Sequence, residues 1–354
     1  MPPHRPSYRL IDLLKIVAAQ CIVLHHFSAY GPLSDAAAEA APELMEWLYD
    51  YARMAVQIFL VVAGYLAARS LAKSQHTGLW TTLSQRYMRL VIPFMAALGI
   101  TVLCSALARP YLEGDVVPAL PTLAQLLAHA SLLHSVLEVD SLSAGVWYVA
   151  IDFQLYALLA LLLWLGRGRR WFAVALVAGL AVSSLAWFNL DADLDVWAPY
   201  FFGAYGLGAL AWWAGLRSRH GGYALGLYAA TLLTGLGSLA LEFRARIALA
   251  MGISTVLLSF GSVQLALPRR VDRWVQRLSN CSYALFLVHF SVLLLANALW
   301  EALGLENTVL ALAAIAASWL LSIAAGHVFH TQVEQRIDDW RRAARGVAAA
   351  LAGK

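Results

Sequence analysis

Ten apolar runs follow one another with only short charged loops between them, at about 10–29, 47–68, 88–108, 146–166, 171–188, 197–215, 222–241, 245–266, 280–300 and 308–329. Each is close to the roughly 20 residues that a helix needs to cross a hydrocarbon core of about 30 Å. Lipid offers no partner to backbone N–H and C=O groups, which leaves helices or a closed barrel. The runs are long and continuous rather than short and alternating, and that excludes the barrel. Of 354 residues, 61% are hydrophobic and 13% charged, too little charge to cover a soluble surface. The expected fold is all-α, a polytopic membrane bundle of about ten transmembrane helices with no linker or repeat dividing it.

A further apolar stretch, 119–137, is broken by Pro121 and carries His129 and His134; it reads as interfacial or re-entrant. Lysine and arginine set the orientation. Arg5, Arg9, Arg69, Lys73, Arg86, Arg89, Arg167, Arg169, Arg170, Arg217, Arg219, the 269–277 arginines and the basic tail fall on one side, with both termini. That side is expected to be cytoplasmic. The opposite loops keep Arg109, Arg244 and Arg246, with Arg53 at the edge of the second span, and are acidic in "NLDADLDV" at 189–196 and over 31–46.

The net charge of +4 is thus spread over loops as topology requires, with no compact basic stripe for nucleic acid. Cys21, Cys104 and Cys281 all fall inside spans and form neither a disulfide framework nor a metal-ligand spacing. No metal site is expected. The basic start "MPPHRPSYR" resembles a signal peptide, but the run that follows holds Lys15 and Gln20 and is succeeded by nine more. It is read as an uncleaved first span.

That first span, "DLLKIVAAQCIVLHHF" at 12–27, carries groups that lipid penalises. At about 100° per residue, the step from Lys15 to His26 is three turns plus about 20°, so the two share a face roughly 16 Å apart along the axis. A central lysine or aspartate costs about 2.5–3.5 kcal/mol on an insertion scale. Lys15 is near enough to an end to snorkel, whereas His26 has no such length. Asp152 enters at comparable depth from "AGVWYVAIDFQLYALLALLLWLG", with Tyr148 and Tyr156 on the same helical face. A carboxylate at that depth needs a partner. The expected one is His26, which an ionised acid would orient; a structural pairing with Lys15 or Arg53 is the alternative.

Several segments, in order, resemble acyltransferase family 3, integral-membrane enzymes that modify carbohydrates and related acceptors. "IDLLKIVAAQCIVLHHF" is similar to the family's opening helix, with Lys15 at its arginine position and His26 at the histidine thought essential. "AVQIFLVVAGYL" at 55–66 resembles a second segment, although Ala55, Gln57 and Ala63 depart from it. "RYMRLVIP" at 86–93 and "VWYVAIDFQLY" at 146–156 follow, the latter with Asp152 in place of glutamate. "LSNCSYALFLVHF" at 278–290 and "FHTQVEQ" at 329–335 complete the series.

The resemblance implies an acyltransferase domain over 1–336, followed by a basic cytoplasmic tail at 337–354 that reads as an interfacial helix after Glu334. It implies an acyl-CoA donor, expected to be acetyl-CoA and acting as a substrate rather than a resident cofactor, and an O-acetyltransferase reaction on a carbohydrate or lipid-linked glycan. His26 is then the general base, or carries the acyl group itself. Asp152 orients it, and Lys15 or Tyr156 stabilises charge. Arg86 and Arg89, three residues apart, suit a phosphate of the donor, though positive-inside placement alone also explains them. Trp147 and His289 are expected to touch substrate. His25 is expected to bond helix to helix, and His129 and His134 to be loop residues within reach of an acceptor. Arg to Lys at 15 loses the planar fork of guanidinium.

The expected setting is a bacterial cytoplasmic membrane, with membrane lipid and envelope-polysaccharide assembly proteins as partners. A transporter, or a non-catalytic component of a polysaccharide export system, is the alternative. Against a transporter, no inverted halves with paired broken spans are visible.

Overall fold

The computed structural model describes residues 8–73, 78–112, 116–337, 339–340 and 342, and among these there are helices, turns and loops but no strand. All ten expected runs are helical. Eight helical stretches are long and apolar enough to cross a membrane. Arg5 and the tail from 343 onward lie outside the described residues.

Helix α1 (Arg9–Ala29) is followed by a turn at Gly31, whose φ of +88° is a left-handed conformation that favours glycine. Next come α2 (Pro32–Ala40) and α3 (Pro42–Asp50), each opening on a proline whose fixed φ and missing N–H suit a first turn. At about 13 Å each they are too short to cross. A 3-10 turn at Ala52–Ala55 leads into α4 (Val56–Lys73). Trp47 therefore belongs to α3, and the helical stretch from Pro42 to Lys73, which contains the expected 47–68, is one of the eight long apolar ones.

Helix α5 (Leu79–Ala108) begins well before the expected 88. Its first turns, "TTLSQR", are polar and escape an apolar window, so Arg86 and Arg89 lie within the helix. Within the 119–137 stretch, α6 (Leu123–Ala130) is a single short helix closed by a Thr122–Gln125 capping box, and it does not cross. Then follow α7 (Trp147–Leu165), α8 (Arg170–Ala186), α9 (Ala198–Ala214), α10 (Arg219–Leu241) and α11 (Ala245–Phe260). The amphipathic α12 (Arg269–Asn280) precedes α13 (Ser282–Ala302) and α14 (Thr308–Phe329), which runs into a π turn at His330–Glu334.

Helices α8, α9 and α11 are the shortest of the expected spans, at 16 or 17 residues. For α9 the reason is its position: every residue from Tyr200 to Ala211 is buried, so it lies inside the bundle and need not match lipid thickness. Its crossing with α4 is backbone to backbone. A Cβ on Gly64 would sit 1.9 Å from the Tyr205 carbonyl oxygen, and one on Gly208 1.9 Å from that of Val61. Small residues are what permit such an approach between membrane helices. A second apolar cluster, with Val23 and Phe27 of α1 against Leu293 and Leu294 of α13, holds the far ends of those helices together.

Candidate active site

The polar stripe of α1 exists, and both its ends reach the segment 272–289. At the amino-terminal end, buried Arg9 bonds Asp12 at 3.1 Å and Asp272 of α12 at 2.6 Å. Ser279 Oγ donates to Asp12 at 2.7 Å, and Lys15 Nζ donates to the Ser279 carbonyl at 2.9 Å and to its Oγ at 3.1 Å. Lys15 is thus a clamp between α1 and the end of α12 as well as a cavity residue.

At the other end, His26 is buried beside His289 of α13, with Nδ1 and Nε2 2.5 Å apart. The rings lie within 11° of parallel with centroids 4.8 Å apart, the spacing of an edge-to-edge pair sharing a proton. His289 Nδ1 lies 2.7 Å from the Phe286 carbonyl oxygen, which only accepts. That contact places a proton on His289 Nδ1 and leaves Nε2 as an acceptor. His26 must then donate from Nδ1. Its Nε2 keeps the lone pair and makes no hydrogen bond among the described residues.

Asp152 is not the partner of His26. It takes a hydrogen bond of 2.5 Å from Arg86 Nη2, and Arg86 in turn lies over the Tyr156 ring, 5.0 Å from its centroid. An acid buried at this depth pairs with a cation that reaches it, and the early start of α5 brings Arg86 into the bundle. Neither Lys15 nor Arg53 is bonded to Asp152.

Two cavities open toward opposite ends of the bundle. The one beside Lys15, about 770 Å³, is lined by Lys15, Arg86, Arg89, Asp152 and Tyr156. The one beside His26, about 970 Å³, is lined by His26, Gln57, Trp147, Tyr200 and Phe201. Tyr148 and Phe286 belong to the walls of both. Their rings meet edge to face at 5.6 Å, and Phe59 flanks Tyr148 at 5.9 Å. An aromatic partition therefore separates His26 from the cationic cavity. Gly145, φ +76°, leaves room beside it: a Cβ there would lie 3.1 Å from His26 Cε1 and 3.2 Å from Phe286 Cζ.

The expected site residues thus fall into two groups. His26 and Trp147 line one cavity, with Trp147 stacked on Phe201 at 5.6 Å. Lys15, Arg86, Arg89, Asp152 and Tyr156 line the other, and Tyr148, Asp152 and Tyr156 share a face as expected. His289, expected to touch substrate, is fully buried behind His26 and lines neither cavity. It bonds His26 instead; in the sequence only its match to a family position singles it out.

His25 does bond helix to helix, to the Leu48 carbonyl of α3 at 3.3 Å. His129 and His134 are not within reach of an acceptor: both are fully buried and stack face to face, centroids 4.3 Å apart. Their loop folds back on the bundle, with Tyr87 donating to the Ala130 carbonyl at 2.6 Å and the Leu142 N–H donating to His129 Nε2 at 3.2 Å. Burial and the neighbouring His129 push the His134 pKa down to about 4. Glu334 is held by His330 at 2.5 Å.

The family model described as "Acyltransferase domain" matches residues 8–327, nearly the whole chain. No curated protein and no solved structure matches. With a multi-pass helical bundle and a family match over almost its full length, the chain belongs to acyltransferase family 3 and is a membrane acyltransferase.

Proposed function

We propose that the protein moves an acyl group, acetyl, from acyl-CoA to a hydroxyl of a carbohydrate or glycoconjugate, with His26 Nε2 as general base. The observation that carries this reading is the proton chain from His26 Nδ1 through His289 to the Phe286 carbonyl. It fixes one tautomer and leaves a basic nitrogen at the wall of a cavity large enough for a sugar.

The donor occupies the Lys15 cavity, where Arg86 and Arg89 meet its phosphates and Lys15 adds positive charge. Its slender acyl-bearing arm passes between Tyr148 and Phe286, bringing the thioester to His26. The acceptor lies in the opposite cavity, with Trp147 and Phe201 offering faces to a sugar ring. His26 Nε2 takes the hydroxyl proton as the oxygen attacks the thioester carbonyl. The C–S bond then breaks, and the leaving thiolate takes the proton from the imidazolium, giving an ester and free CoA. The aromatic partition keeps bulk water from the thioester when the arm fills it.

We place the Lys15 cavity on the cytoplasmic side of a bacterial inner membrane, from the distribution of lysine and arginine. The test is mass spectrometry of envelope glycans from cells lacking the gene and complemented with wild type or His26→Ala, both confirmed in the membrane. Wild type restores products heavier by one acetyl group; restoration by His26→Ala rejects the assignment.

A further inference from the structure

Four basic residues run against the charge asymmetry of this chain: Arg53, Arg109, Arg244 and Arg246 sit on the face that lysine and arginine counting assigns to the exterior. Arg109 is tied to the Pro118 carbonyl at 2.8 Å. The other three, from two distant stretches of sequence, line the His26 cavity.

None of those three makes an ion pair among the described residues. Buried Arg9, by contrast, pairs with Asp12 and Asp272, and part-buried Arg86 pairs with Asp152. Arg244 is buried to 8% exposure, yet its partners are neutral: the Asn189 side chain at 2.8 Å, the Leu185 carbonyl at 3.1 Å and the Ser238 hydroxyl at 2.5 Å. Its Nε is buried with no partner. Arg246 lies over the Tyr200 ring, 5.1 Å from the centroid, and donates weakly to the Asn189 carbonyl at 3.4 Å. Arg53 is exposed and bonded only to the Asp50 carbonyl at 3.2 Å. Asp195 and Glu242 also line this cavity, but neither forms an ion pair with an arginine among the described residues, and Glu242 acts on Arg244 only at longer range. Three guanidinium groups facing two carboxylates leave the cavity net positive. A buried cation without a counter-ion is costly unless a ligand supplies one.

We infer that the acceptor is itself an anion, a carbohydrate bearing a carboxylate or phosphate group that pairs with Arg246 and Arg53 while its hydroxyl faces His26. Arg244, locked by Asn189 and Ser238, supports the field from behind. Arg246 lies over the Tyr200 ring and spends only one long hydrogen bond on the backbone, which leaves N–H groups for an oxyanion, and the neighbouring aromatic wall takes the sugar ring. This inference rests on the acyl transfer proposed above.

The test uses native membranes given radiolabelled acetyl-CoA, with His26→Ala membranes as the blank. Glycans are released and passed over an anion exchanger. Label retained on the exchanger supports the inference; loss of retention after phosphatase or mild acid identifies phosphate, and loss after carboxyl reduction identifies a carboxylate. Label that flows through as a neutral glycan overturns it while leaving acyl transfer intact. Absence of labelled glycan altogether overturns acyl transfer, and the inference with it. As a second arm, Arg246→Gln raises the acceptor KM roughly tenfold or more with kcat nearly unchanged, the loss expected for one charge-assisted hydrogen bond; an unchanged KM contradicts the pairing.

Discussion

His289 stands between His26 and the backbone of its own helix, accepting one proton at Nε2 and giving another to the Phe286 carbonyl at 2.7 Å. A hydrogen-bonded imidazole thus does here what a carboxylate does in hydrolytic triads: it selects a tautomer. Being neutral, it does so without stabilising the imidazolium electrostatically.

Removing that anchor frees His26 to adopt either tautomer and to rotate. His289→Phe is expected to lower kcat by about two orders of magnitude, within the range for general-base catalysis, with little change in donor KM. His289→Gln, whose side-chain oxygen can accept the Nδ1 proton, recovers part of the loss. Steady-state kinetics with purified protein check both; full activity in the Phe variant contradicts the positioning role.

The Arg86–Asp152 pair makes an opposite kind of statement, about stability. Asp152→Asn strands a largely buried guanidinium and is expected to cost about 3 kcal/mol. Replacing both residues with apolar ones of similar volume restores much of it. Thermal unfolding in detergent of the two single variants and the double variant measures the coupling, and additive losses contradict the pair.

The α4–α9 crossing tolerates no side chain. Gly208→Ala places a methyl group against the Val61 carbonyl, where the helices must separate to admit it. Overpacking of this kind costs roughly 1–3 kcal/mol, read as a lowered Tm or reduced yield of folded protein. Gly226→Ala, which meets open space, serves as the control.

Acid should loosen the loop that carries the two stacked histidines. An unfolded imidazole takes its proton near 6.5, whereas His134 takes it only at about 4. Between those values the unfolded state binds more protons, so stability is full above about 6.5 and falls as pH drops toward 4, by roughly 1.4 kcal/mol per pH unit. Thermal unfolding from pH 7 to pH 4 shows the loss; His134→Leu flattens that part of the profile.

Much of this was legible from residue order. Apolar length identified the helices, and the 100° rotation put Lys15 and His26 on one stripe and Tyr148, Asp152 and Tyr156 on another. Pairing across helices was not legible, because hydropathy gives each helix a face but no neighbour. Depth alone pairs Asp152 with His26, whereas its partner is Arg86, which lies just outside the apolar run at 88–108. His129 and His134 read as surface residues because loops usually lie outside; theirs is packed inward by bonds from Tyr87 and Leu142. Departures such as Gln57 remain compatible with the site, since that residue lines the His26 cavity.

Everything proposed for the reaction depends on His26. Acceptor-dependent release of CoA thiol by purified protein in proteoliposomes tests it most directly, wild type against His26→Ala at matched protein. The variant is expected to fall at least about 100-fold in kcat with its helical content and Tm preserved. A variant that turns over at close to the wild-type rate contradicts it.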